Sequence, residues 1–141
     1  MNKRAPADEP LVMSLLGAAH AIEARLEAVL DPLGLSLAKL GILRALDQAP
    51  EPMSLSELAT RLACVRSNIT QIVDRLEKDG HVRRRADPAD RRGVRAELTA
   101  GGRRAARQGW EVFAREQRVI ARGVAAGDAD KLKYTLGLLG K

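Results

Sequence analysis

The chain has 141 residues, 45% of them hydrophobic, and a net charge of +6. That length suits one compact domain or a domain with a dimerisation appendage. Trp110, Phe113 and Tyr134 are its only aromatics, so the core must come from Leu, Val, Ile and Ala. A single cysteine excludes an internal disulfide framework and suits a reducing compartment, and no apolar run approaches the roughly 20 residues that span a bilayer.

In chain order, residues 1–10 carry two prolines and mixed charge without the hydrophobic stretch of a signal peptide. They read as a loose tail, and a cytoplasmic location is expected. Leu15, Ala19, Ile22, Leu26 and Val29 then recur at helical spacing until Asp31-Pro32. Ser36 can cap a second helix with Leu37, Leu40, Leu43 and Leu46 inside, closed by Pro50 and Pro52. Ser54-Leu55-Ser56-Glu57 is a capping box opening a short third helix with Leu55, Leu58, Ala59 and Leu62 inward. After a break near Ala63 to Arg66, a fourth helix has Ile69, Ile72, Val73 and Leu76 on one face. Gly80 can stop it in the left-handed conformation. Two helices of this length joined by a turn of about four residues form a helix-turn-helix unit.

From Val82 to Arg95 the chain reads VRRRADPADRRGVR, six arginines against two aspartates, with Pro88 and Gly93 as turn residues. Val94, Ala96 and Leu98 alternate inward on the return strand, which makes the segment a hairpin with a charged tip. Thr99 can cap a fifth helix despite Gly101-Gly102, with a stripe of Ala106, Trp110, Phe113, Gln117 and Ile120 or Ala121. Gly127-Asp128 separates a last helix bearing Leu132, Leu136 and Leu139.

Charge follows this division. Residues 66–107 hold twelve Lys/Arg and six Asp/Glu, while the rest of the chain holds twelve of each. All of the excess sits in the fourth helix, the hairpin and the turn after it, which implies a polyanionic partner. A helix beside a basic hairpin is a winged helix-turn-helix DNA reader, one element for the major groove and one for the minor groove. The expected fold is mainly α with a small β-hairpin. A reader at 35–99 is flanked by helical dimerisation segments at 11–34 and 100–141. The outer helices have stripes that the reader cannot cover, so they pair with a second copy or form one monomeric bundle.

The run from Leu55 to Gly102 resembles the MarR (multiple antibiotic resistance regulator) family of bacterial transcription factors. The resemblance is carried by Asp74-Arg75-Leu76-Glu77-Lys78 with Gly80, by the D-x-R signature at Asp90 to Arg92, and by Leu98-Thr99 with Gly102. It implies a homodimeric regulator of palindromic operators in double-stranded DNA near its own or adjacent genes. Such regulators are often repressors, released by a small and commonly phenolic effector or by oxidation. A winged-helix module that binds a protein, as an anti-repressor does, is the competing class. No nucleophile–base pair, phosphate loop or metal-ligand spacing points to an enzyme or a cofactor.

The resemblance also distributes roles. Arg66, Thr70 and Gln71 would lie nearest the bases, with Ser67, Asn68 and Arg75 on phosphate. Arg92 would enter the minor groove, and Arg91 and Arg95 would approach the backbone. Asp90 would hold Arg92, or an arginine of the fourth helix, by a charge-assisted hydrogen bond. Arg83, Arg84 and Arg85 alternate across the outgoing strand, so not all can face DNA. Val65 stands where the family has a helix-capping Ser, Thr or Asp, and Ser67 can cap instead, starting the helix later. Cys64 occupies the place of a buried aliphatic residue, with a redox role as the alternative. His20 can line an effector pocket between the reader and the dimerisation helices. His81 reads as surface structure, and the two histidines are too isolated to hold a metal.

Overall fold

Local sequence signals set most element boundaries in the computed structural model, which describes residues 10–63 and 66–140. The first helix, α1 (Leu11–Leu30), runs into a single 3-10 turn at Asp31–Leu33, and Gly34 closes that turn in the left-handed region at φ +68°. Helix α2 (Leu37–Gln48) begins at Ser36, whose Oγ accepts the Lys39 N–H at 3.1 Å, while Glu27 reaches over from α1 to accept the Leu37 N–H. Two of the otherwise orphaned amide groups at the α2 start are satisfied in this way.

A two-residue strand, β1 (Met53–Ser54), precedes α3 (Leu55–Arg61). The capping box is present in full: Ser54 Oγ accepts from the Glu57 N–H, and Glu57 accepts from the Ser54 N–H. Ala63 ends this segment at φ +50°, a conformation costing a non-glycine residue about 1 kcal/mol. Helix α4 (Arg66–Lys78) follows and ends at Gly80, which adopts φ +77°.

Strands β2 (Val82–Asp87) and β3 (Asp90–Leu98) form the antiparallel hairpin, with Val82 opposite Leu98 and Arg84 opposite Ala96. The sequence pattern misses β1, which pairs Met53 with Ala96 and makes a three-stranded sheet in the order β1-β3-β2. Two residues are too few to show alternation.

Helix α5 (Ala100–Ala121) is capped by Thr99, whose Oγ1 accepts the Gly102 N–H at 3.0 Å and donates to the Gly80 carbonyl at 2.6 Å. The start of α5 is thereby tied to the end of α4. The approach is close enough that a Cβ at Gly102 would fall 1.9 Å from the His81 carbonyl oxygen, so only glycine fits. The last helix, α6 (Ala126–Leu139), starts earlier than the sequence suggests, taking Gly127 and Asp128 into its first turn.

The core joins α1 through Leu30, α2 through Leu40, Ile42, Leu43 and Leu46, α3 through Leu58, α4 through Ile69, Val73 and Leu76, and the sheet through Val82, Ala96 and Leu98. Helix α5 enters this core with small residues, Ala105, Ala106 and Gly109, rather than the larger stripe expected from Trp110 onward. Trp110 and Phe113 are half-buried and stack at 5.0 Å, and the Arg44 guanidinium lies 3.4 Å from the Trp110 ring centre. Gln117 is exposed. The N-terminal half of α1 and all of α6 cover little: Leu11, Leu16, Ile22, Leu136 and Leu139 are exposed. No helix among the described residues is long and apolar enough to cross a membrane.

Candidate nucleic-acid interface

Helix α4 buries Ile69, Val73 and Leu76, which leaves its opposite face to solvent. Ser67, Asn68, Gln71 and Arg75 are exposed on that face, and Thr70 is half-buried. Helix α4 starts at Arg66, so Ser67 lies inside the first turn and does not delay the helix as its capping chemistry suggests. Cys64 and Val65, read as a redox candidate and as a departure at the cap position, lie outside the described residues, as does the side chain of Arg66.

The hairpin tip is shaped by two aspartates. Asp87 Oδ1 accepts the Ala89 N–H at 2.9 Å, closing the turn around Pro88. Asp90 Oδ1 accepts the Arg92 N–H, also at 2.9 Å. Asp90 therefore bonds the main chain of Arg92. Gly93 sits where a Cβ would come within 2.9 Å of Asp87 Cβ, which keeps the two strands close at the tip.

The six hairpin arginines separate by environment. Arg83 and Arg85 share Glu97 on one face of the sheet, at 2.5 and 2.7 Å. These bonds, Arg83 first, hold the Glu97 carboxyl below its ordinary range. Arg95, assigned to DNA backbone from sequence, spends its donors inside the domain on the Pro52 carbonyl at 2.8 Å and on Asp87 at 3.2 Å. The Ala89 amide and then Arg95 likewise depress the Asp87 pKa.

Arg84 points to the other face and reaches α4, donating to Asp74 and, at 3.1 Å, to Glu77. Burial works against its charge, but the two carboxylates outweigh it and raise its pKa. The sequence reading sought a link between an acid of the wing and an arginine of the helix; the link has the reverse polarity. Arg91 and Arg92 are exposed at the tip, and neither guanidinium has an ion-pair partner among the described residues.

The remaining candidates fall elsewhere. His20 is exposed on α1. His81 is half-buried between α4 and β2 with Nδ1 enclosed and unpartnered, so it is less superficial than its position at the strand start suggests. An apolar cleft of about 270 Å³ opens between α2 and α4, walled by Leu37, Gly41, Ile42, Leu62, Ile69 and Ile72. No sequence pattern distinguishes these residues from the rest of the core.

A helix-turn-helix whose second helix presents a polar face, next to a hairpin with free arginines at its tip, defines the winged helix-turn-helix class of DNA-binding proteins. Comparison with known proteins sharpens this. The model of the MarR family matches residues 35–94. The transcriptional repressor Rv2887 of Mycobacterium tuberculosis is 34% identical over 134 residues, covering 94% of this chain and 95% of the relative. Its salicylic acid complex superposes with a TM-score of 0.68 at 29% identity, over 94% of this chain and 98% of that one.

Two further solved structures agree. A MarR mutant from E. coli bound to operator DNA gives a TM-score of 0.84 at 25% identity, over 92% of this chain and 93% of that one. AbsC, a MarR family regulator from Streptomyces coelicolor, gives 0.86 at 25% identity, over 99% and 96%. The chain belongs to the MarR family. It is a transcriptional regulator and not an enzyme.

Proposed function

We propose that this regulator is a homodimeric repressor of its own or adjacent genes, binding a palindromic operator and leaving it when a small molecule binds. The observation that carries the DNA-binding part is the pair of tip arginines, Arg91 and Arg92, whose guanidinium groups have no ion-pair partner among the described residues, on a hairpin whose other arginines are engaged within the domain. In this reading residues 35–99 form the reader, and residues 11–34 and 100–141 the dimerisation region. Asn68, Gln71 and Arg75 present donors and acceptors to the major groove and its phosphates, together with Arg66, Ser67 and Thr70. Arg92 enters the minor groove and Arg91 meets the backbone. Asp90 fixes the main chain from which Arg92 projects, and Arg95 supports the wing rather than touching DNA.

Dimerisation is supported by the bare leucines of α1 and α6, too extensive a set for a monomer to leave in water. Release by an effector is supported by the cleft between α2 and α4, because a ring entering it presses on Ile69 and Ile72 of the helix that meets DNA. Rv2887, which binds salicylic acid in its solved complex, offers a parallel.

Nuclease footprinting of the upstream and neighbouring intergenic DNA tests the proposal. The expected result is a protected palindrome with two half-sites about one helical turn apart. Absence of any protected palindrome in that DNA would remove the autoregulatory reading.

A further inference from the structure

Arg84 does something that its place in an arginine-rich hairpin conceals. Its side chain is 26% exposed, against 59% for both neighbours, Arg83 and Arg85. It faces α4 and donates to Asp74 and Glu77, which lie three residues apart on the same helix face. A third bond strengthens the join: the Arg84 N–H, on an edge strand with no neighbour beyond it, donates to Glu77 Oε2 at 3.2 Å. One residue thus joins the wing to the recognition helix by main chain and side chain together.

The geometry points to Arg84 as a positioning residue that sets the wing against α4 and so determines operator selectivity without touching DNA. A guanidinium spanning two carboxylates fixes an angle between elements that a single contact would leave free. The inference rests on the DNA-binding reading and deepens it.

The test is a set of three proteins, Arg84→Met, Asp74→Asn/Glu77→Gln and the triple variant, each titrated with operator and with an unrelated duplex. Arg84→Met is expected to lose operator affinity by about tenfold while its affinity for unrelated DNA stays within about twofold. In the Asp74→Asn/Glu77→Gln background the same substitution should cost less, because no clamp remains to break. Equal losses on both duplexes, in both backgrounds, would instead make Arg84 a phosphate contact and overturn the inference. So would an unchanged operator affinity.

Hydrogen exchange on the free protein provides an arm independent of DNA. Arg84→Met should speed exchange of the Arg84 amide and its β2 neighbours while the β1–β3 pairs hold. Unaltered β2 exchange sinks the clamp even where DNA binding stands. Faster exchange in a protein that selects no DNA sinks the selectivity claim together with the functional reading. Should Arg84→Met fail to fold, Arg84→Lys, which keeps the charge but cannot span both carboxylates, is expected to show the same pattern at smaller size.

Discussion

The reading domain and the outer helices are built to different degrees of completeness. Between Ser36 and Gly102, α2, α3 and α5 start on side-chain caps, apolar side chains meet in one core, and four of six hairpin arginines have acidic partners. In α6 the reverse holds: Leu132, Leu136, Leu138 and Leu139 are 42–59% exposed, and its N-cap residue Ala125 makes no side-chain bond. The first region satisfies most of its own hydrogen bonds, with His81 Nδ1 as a buried exception, and buries most of its own apolar surface. The second leaves its apolar face bare, which is the surface that the proposed homodimer would cover. In the complete region, then, the few groups left unsatisfied at the surface are the informative ones. These are the face of α4 and the two tip arginines.

The sharpest way to break the contrast is to disturb the joint where the two regions meet. Gly102→Ala places a methyl group against the His81 carbonyl, and neither backbone can withdraw without separating α5 from the end of α4. A loss of about 3 kcal/mol, or roughly 10 °C in Tm, is expected by calorimetry. A Tm within a degree or two of the parent would show that the joint is slack. Leu136→Asp tests the incomplete region alone. It should raise the dimer dissociation constant at least about tenfold by light scattering while leaving the helical circular dichroism of the reader unchanged. An unaltered mass would move the interface away from α6.

Most of the reader was legible in the sequence because its signals are local. Ser36, Ser54 with Glu57, Gly80 and Thr99 mark helix ends through chemistry acting over three or four residues. What sequence missed depends on distant contacts. Nothing near Gly102 announces the His81 carbonyl, which turns an apparent helix weakness into a requirement of packing. Arg44 over Trp110 joins α2 to α5 across a long stretch of chain. Alternation along β2 implied that Arg84 differs from Arg83 and Arg85, but which face held acids depended on how α4 docks.

The division among the hairpin arginines is the center of the account, and salt dependence tests it most directly. Operator affinity should be measured from low to high salt for the parent and for Arg91→Ala/Arg92→Ala. Losing two cations that meet DNA should lower affinity roughly 10- to 100-fold and reduce the slope of log affinity against log salt by about 2. The same double substitution should leave the folded reader intact, because neither side chain holds an ion pair among the described residues. An unchanged affinity and an unchanged slope would contradict the account and take the wing tip out of DNA recognition.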